Sequence, residues 1–507
     1  MRRRYTRSGG ACRHLLGLSA LSTVNESSFQ LALLFELALV TRRLGAAEVA
    51  AYAAVAATTT CALGLFSFLL VTTMAQIAHS SGAERWHEIG PRFRVALLSA
   101  VSIGVACGAA LWALEAPLFA RAMALDAATV AEIRAVFPLR LALLPLMMVQ
   151  RVCSGLLGGY HRVRWLAART VAVALVEVCS QWLALYVFNA GLFGATVGAV
   201  ATAAFGAGLS LVLVACLPPP EARGQIRLCC CDDVKDDDDA CGCCRADDDG
   251  QGGSVGKAAA GRGSSRSRRA VVCWDFASAS KDTVIRSLLL TLSVYSMTLF
   301  AASLGTAQLT AHQVAMTLWM FMSLICDGIA DVGTMVSAKL LGEGGRTAEI
   351  RAVRDMLLSA GMGVGVVVSV SMWVCRDRIV SFFALAEASQ ELLLRIWPLL
   401  CGMQTVNAAV FVLDGFIYGV QAFSFVRNLM LLACVGWFGP ALLCVDVPAV
   451  VGWRSLLGVW CAKAGLNAIR AAGAVYLLYF RLPKRWRREE QQADAGVAPG
   501  ALASPLL

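Results

Sequence analysis

The chain has 507 residues, 58% of them hydrophobic and only 15% charged, with a mean hydropathy of +0.67 and a formal net charge of +10. Soluble domains are about 45–50% apolar and about 25% charged, so this composition excludes a disulfide-stapled secreted scaffold, a disordered regulator and an ordinary cytosolic enzyme. Lipid must solvate most of the apolar surface.

A helix that crosses a bilayer needs about 20 mostly apolar residues. Twelve such windows are predicted in chain order, near 18–40, 49–77, 95–117, 136–158, 170–188, 194–217, 283–304, 311–337, 355–375, 392–417, 429–447 and 455–480. The runs are long and unbroken, which favours helices over the alternating ten-residue strands of a barrel. Residues 1–17 are expected to form a cytoplasmic tail whose Arg2, Arg3, Arg4 and Arg7 flank the first span, although an Arg-rich targeting presequence has the same composition. With the N-terminus inside and the central loop set aside, the inside flanks hold 21 Lys and Arg against 7 outside, so both termini are expected in the cytoplasm.

Residues 18–217 and 283–480 are expected to be two lobes of six helices each. Compared with itself at a shift of 260, the chain matches without a gap: Leu44-Gly45 on Leu304-Gly305, Gly82 on Gly342, Arg94 on Arg354, Pro138 on Pro398, and Gly155, Gly159 and Gly198 on Gly415, Gly419 and Gly458. An even number of spans per repeat gives parallel halves related by an axis along the membrane normal, the plan of a carrier with a substrate path between rocking lobes. Between them, residues 218–282 carry Pro218 to Pro220, Cys229 to Cys231, an acidic block from Asp232 to Asp239, and a Gly, Ser and Arg stretch, and are expected to form a disordered cytoplasmic linker. Its clustered Cys could be palmitoylated or hold a soft metal, but no paired zinc spacing is present and a passive linker is the simpler reading. Residues 481–507 read as a cytoplasmic tail.

Charge inside a span needs a partner, a bound cation or a proton. Asp414 lies within the tenth span, where desolvation would let it exchange a proton. Asp327 and Asp331 stand four residues apart on one helix face and would favour one shared proton or a bound sodium. In the first half the equivalent positions are Ser67, Val71 and Ser154, so acid chemistry is concentrated in the second lobe. Glu36 and Glu177 are further candidates for the cation or substrate path, with structural pairing to Arg140 or Arg151 as the alternative. His312 reads as a helix-start histidine, and Trp319 with its neighbours as packing.

Residues 304–344, LGTAQLTAHQVAMTLWMFMSLICDGIADVGTMVSAKLLGEG, and 413–428, LDGFIYGVQAFSFVRN, resemble the multidrug and toxic compound extrusion (MATE) family, particularly its DinF-like eukaryotic branch. Weaker similarity at 43–53, 191–203 and 456–471 extends this over about 40–480, excluding the linker. The resemblance implies a twelve-helix antiporter that expels small organic solutes, drug-like, carboxylate or phenolic, by alternating access in exchange for protons or sodium. It also marks Asp327 and Asp414 as acidic positions of the family. The chain departs from the family in three places: 285–304 holds no acid, Leu37 stands where some branches have an Asp, with Glu36 beside it, and Gly158-Gly159 replaces an Arg-Gly pair. A lipid-linked oligosaccharide flippase of the same superfamily is the alternative. No HExxH, GxSxG or P-loop pattern is present, so no enzyme is expected. No cofactor or metal is expected beyond the coupling H+ or Na+, and the expected partners are an organic solute and the bilayer, with no nucleic acid, around a monomer in a plasma, vacuolar or plastid membrane.

Overall fold

A computed structural model of the chain describes residues 9–122, 127–220, 264–344, 346–383, 385, 387–446 and 455–494. Among these there is no strand. The first lobe contains α1 (Gly9–Arg43), α2 (Ala46–Leu65, resuming at Phe68–Gly82), α3 (Ile89–Ala113), α4 (Ala127–Leu141, resuming at Leu143–Gly159), α5 (Val163–Trp182) and α6 (Gly191–Cys216). The second contains α7 (Ser264–Leu304), α8 (Thr306–Gly342), α9 (Thr347–Val374), α10 (Glu387–Gly419), α11 (Phe423–Ala433, extended to Asp446) and α12 (Leu456–Val475, extended to Arg481), followed by α13 (Leu482–Asp494). Every span predicted from hydropathy falls on one of these twelve. Ten of the spans are long and apolar enough by composition to cross a membrane. The other two, α1 and α12, are the ones loaded with polar groups: Asn25, Glu26 and Glu36 on α1, Lys463, Asn467 and Arg470 on α12. Large side chains such as Leu98, Val105, Trp112, Leu175, Phe188, Val367, Val374 and Val435 point outward and need lipid to cover them.

Several boundaries shift from the sequence reading. Helix α1 starts at Gly9 because Leu15 is buried in the core between the lobes, so part of the expected tail is helical. Helix α7 starts at Ser264, which makes 264–282 helical rather than linker; Asp282 anchors its entry by accepting from Arg427 Nη1 at 2.6 Å and from Ser424 at 2.9 Å. Helix α13 forms in the expected C-terminal tail because Leu482 and Trp486, one turn apart, bury themselves in the same core. The Cys- and Asp-rich stretch of the linker, 221–263, lies outside the described residues.

The duplication is visible in the backbone. Left-handed residues after helix ends recur at two paired positions: Glu84 (φ 57°) and Gly344 (φ 95°), His161 (φ 58°) and Gln421 (φ 58°), each pair separated by 260. The close approaches are paired as well. A Cβ on Gly82 would overlap the Lys339 carbonyl, and one on Gly342 would overlap the His79 carbonyl. Gly155 in α4 rests on the Leu70 carbonyl of α2, and Gly415 in α10 on the Ala330 carbonyl of α8. Small residues let backbones meet in this way, replacing a hydrophobic drive that lipid does not supply. The first of these paired contacts joins the lobes where α2 and α8 end. The largest apolar cluster lies near it, with Leu15, Met74, Ala75 and Val163 of the first lobe packed among Val332, Met335, Val336, Phe416 and Ile417 of the second. The lobes thus meet tightly through α1, α2 and α8, while α7 leans on α2 and α3.

Candidate functional site

Polar residues inside the bundle gather in three places. The first is the seam between lobes. Helix α1 crosses α8 so closely that a Cβ on Gly328 would overlap the backbone and hydroxyl of Thr23, whose Oγ1 donates to the Ile325 carbonyl at 3.3 Å. One turn on, Ser22 Oγ donates to Asp331 Oδ2 at 3.2 Å. Glu26, one turn further along α1, interacts electrostatically with both Asp327 and Asp331 across the seam. From its own lobe it faces Arg151 and Arg169, and it accepts from Asn25 Nδ2 at 2.8 Å. Arg169 in turn donates to Ser210 at 2.9 Å and to Thr170 at 3.1 Å, and the Thr170 hydroxyl donates to Asn25 Oδ1 at 2.6 Å. Three carboxyl groups therefore share the boundary between lobes, with Arg151 and Arg169 beside Glu26 on one side and Arg286 and Arg470 facing Asp327 on the other.

The second place is the interior of the C-terminal lobe. Asp414 is 6% exposed and accepts from Arg470 Nη2 at 2.6 Å and from Arg286 Nη2 at 3.2 Å. Arg286 also lies over the Tyr418 ring at 5.6 Å and faces Asp327. A chain of amides extends from Arg470: its Nη1 donates to Asn467, whose Nδ2 donates to Asn407 at 2.7 Å, beside Gln404. Two guanidinium groups thus lie against the carboxylate that the sequence reading singles out for proton exchange.

The third is the N-terminal lobe. Glu36, 1% exposed, pairs with Arg140 Nη1 at 3.6 Å and accepts from the Tyr52 hydroxyl, while the Arg140 guanidinium lies 5.6 Å from the Tyr52 ring. Gln181 Nε2 bridges Glu177 (3.1 Å), Glu36 (3.4 Å) and the Ala195 carbonyl (3.0 Å). Of the two partners expected for these acids, Arg140 takes Glu36 and Arg151 faces Glu26 instead. Two surface clefts lie elsewhere, on the lipid side: one between α7 and α11, the other lined by Phe35, Arg42, Cys179 and Trp182. Neither holds the candidate acids.

Asp327 and Asp331 are thus brought together with Glu26, which the sequence reading passed over, and Asp414 with Arg286 and Arg470, also passed over. Glu36 and Glu177 form a separate pair. A signal was available: Arg286, Lys463 and Arg470 interrupt otherwise apolar spans, and an intramembrane charge of either sign marks a site.

The MatE family model matches residues 19–183 and 283–436. Protein DETOXIFICATION 44, chloroplastic, of Arabidopsis thaliana is 27% identical over 184 residues, covering 36% of this chain and 33% of that protein. DNA damage-inducible protein F of Escherichia coli is 26% identical over 193 residues, 38% of this chain and 40% of that one. The matched stretch spans about a third of the length of the DETOXIFICATION relatives. Among solved structures, a mutant of the Vibrio cholerae MATE transporter VcmN superposes with a TM-score of 0.77 at 13% identity, covering 94% of this chain and 97% of that one. The eukaryotic MATE transporter AtDTX14 gives 0.77 at 12% identity, covering 96% and 98%. The fold is shared over nearly the whole chain and the family match covers more than half of it: this multi-pass membrane protein, with two six-helix lobes, belongs to the MatE family, multidrug and toxic compound extrusion.

Proposed function

We propose that the protein is a secondary active exporter of small organic solutes, driven by inward movement of protons or sodium, which works by rocking its two lobes. The observation that carries this reading is the position of Glu26, Asp327 and Asp331 on the two helices that join the lobes, α1 and α8. Three carboxylates in a low-dielectric seam repel one another, and a proton or sodium among them relieves that repulsion. Their occupancy is thereby linked to how tightly α1 lies on α8, which is what an antiporter needs in order to tie ion binding to lobe movement. Asp414, held by Arg470 and Arg286, serves in this reading to position the C-terminal lobe's cations rather than to carry the ion. With both termini in the cytoplasm, the paired glycine contacts at the ends of α2 and α8 close the cytoplasmic side. The solute path in this conformation opens outward, and the protein acts as a monomer.

Purified protein in liposomes, given separate pH and sodium gradients and a panel of organic anions and cations, tests the reading. Gradient-driven flux should fall at least about tenfold in Asp331→Asn, a change of about 1.4 kcal/mol in coupling, while the variant stays folded. Undiminished flux in both Asp331→Asn and Asp327→Asn would remove the seam from the mechanism.

A further inference from the structure

We propose that Lys463, with the indole N–H groups of Trp319 and Trp460, forms a receptor for the carboxylate of an organic acid in the C-terminal lobe, and that the exported solute is such an anion. The inference rests on the exporter reading and names its substrate class.

Helices α8 and α12 face each other along two rungs. In one, the Lys463 ammonium lies 4.6 Å from the centre of the Trp319 ring. In the other, the His312 and Trp460 rings are 5.8 Å apart. Trp460 and Lys463 are three residues apart on α12, His312 and Trp319 seven apart on α8, so each set occupies one helix face. Lys463 is completely buried, Trp460 is 1% exposed and Trp319 is 4% exposed. Among the described residues no acceptor lies within hydrogen-bonding reach of Lys463 Nζ, Trp319 Nε1 or Trp460 Nε1, and His312 Nδ1 is likewise without a partner.

A buried ammonium with no acceptor is costly, and two buried indole donors left open beside it add to the cost. Other indoles of the lobe show the usual arrangement: the N–H of buried Trp397 donates to the Met372 carbonyl at 3.2 Å, and that of the more exposed Trp437 to the Ala462 carbonyl at 3.1 Å. The open indole N–H groups of this lobe are thus on the α8–α12 face; Arg286 Nε and the Tyr418 hydroxyl are unpartnered elsewhere in it. Lys463 Nζ and the two indole nitrogens offer N–H groups, which fits an oxyanion. Arg286 and Arg470 face Asp414 and Asp327, while Lys463 has no carboxylate beside it among the described residues. The rings of Trp319, Trp460 and Phe411, the last 6.3 Å from Trp319, supply flat apolar walls for the body of the solute.

Sodium benzoate is the probe, with chloride as the inorganic competitor and tetraphenylphosphonium as the cationic control. Benzoate should quench tryptophan emission of the detergent-solubilised protein and should leave gradient-energised liposomes. Lys463→Met should weaken benzoate binding at least tenfold and Lys463→Arg should retain most of it. Trp460→Phe, which keeps a ring and removes one N–H, should weaken it severalfold and serves in place of Lys463→Met if that variant does not fold. Benzoate binding unchanged in both Lys463→Met and Trp460→Phe overturns the receptor, as does quenching by chloride with none by benzoate. Benzoate binding lost in the variants, with no energised flux of any solute by the wild type, keeps the site and refutes the exporter reading.

Discussion

The two lobes share one backbone plan and carry different chemistry. Gly82 and Gly342, Gly155 and Gly415, and the left-handed turns at 84 and 344 and at 161 and 421 repeat at a constant offset, because a close backbone contact tolerates no other residue. Side chains at equivalent positions do not repeat. Glu26 of α1 corresponds to Arg286 of α7, Ser154 to Asp414, Ser67 and Val71 to Asp327 and Asp331, Ser210 to Arg470 and Ala203 to Lys463. Packing binds both copies equally, whereas the site needs only one set of ionisable groups, so each lobe has specialised. The first lobe pairs Glu36 and Glu177 with Arg140 and Gln181 and sets Glu26 beside Arg151 and Arg169; the second holds Asp414 between two arginines and buries Lys463 with no carboxylate beside it among the described residues.

The shared part of this comparison breaks most readily at the seal. Gly82→Val and Gly342→Val each push a side chain into backbone that cannot rotate away, at a cost of about 1–3 kcal/mol. Both should cut transport more than about tenfold and widen the distance between spin labels at Arg85 and Glu343. A large effect in one and none in the other would show that the seal is not reciprocal. The divergent part is sharpened by removing cations. Arg140→Met leaves Glu36 buried with only neutral partners and should cost about 3 kcal/mol in unfolding measured in detergent. Arg286→Met leaves Asp414 its Arg470 partner and should cost about 2 kcal/mol, within the range of one charged hydrogen bond.

The smallest expected effect concerns the loop after α4. Burial, helped by the like charges of Lys339 and His14, pushes His161 down to about 3. The neutral ring is the form the packed loop accepts, so its contribution is complete above the ordinary value of 6.5 and is lost as pH falls toward 3. The melting midpoint of the wild type should therefore drop between about pH 6.5 and pH 5, and His161→Gln should flatten that slope. The equivalent Gln421 carries no such dependence, so Gln421→His would transfer it to the second lobe.

Twelve spans and the twofold plan were legible in the sequence because both are properties of long stretches: hydropathy sums over 20 residues, and the 260-residue register accumulates over many glycines and prolines. Helix ends were less legible, since Leu15 and Leu482 extend their helices by burying one side chain against a distant helix. The site was half legible. Asp327, Asp331, Asp414, Glu36 and Glu177 stand out as acids in apolar runs, but their partners depend on which helices touch, and nothing local places Glu26 beside Asp331 or Arg470 beside Asp414. The cations in the same runs carried equal information. Reading both signs together, and noting that Glu26 and Arg286 are repeat equivalents of opposite charge, would have exposed the asymmetry.

The reciprocal glycine contacts also bear on ancestry. Each repeat offers a small residue and, three positions earlier, a carbonyl, and takes the same two from its counterpart, as identical subunits do across a symmetric dimer axis. A six-helix forebear would have needed only a second copy of itself to shut one side of the membrane. Fusing the copies then freed each to acquire its own charges without disturbing the closure both inherited.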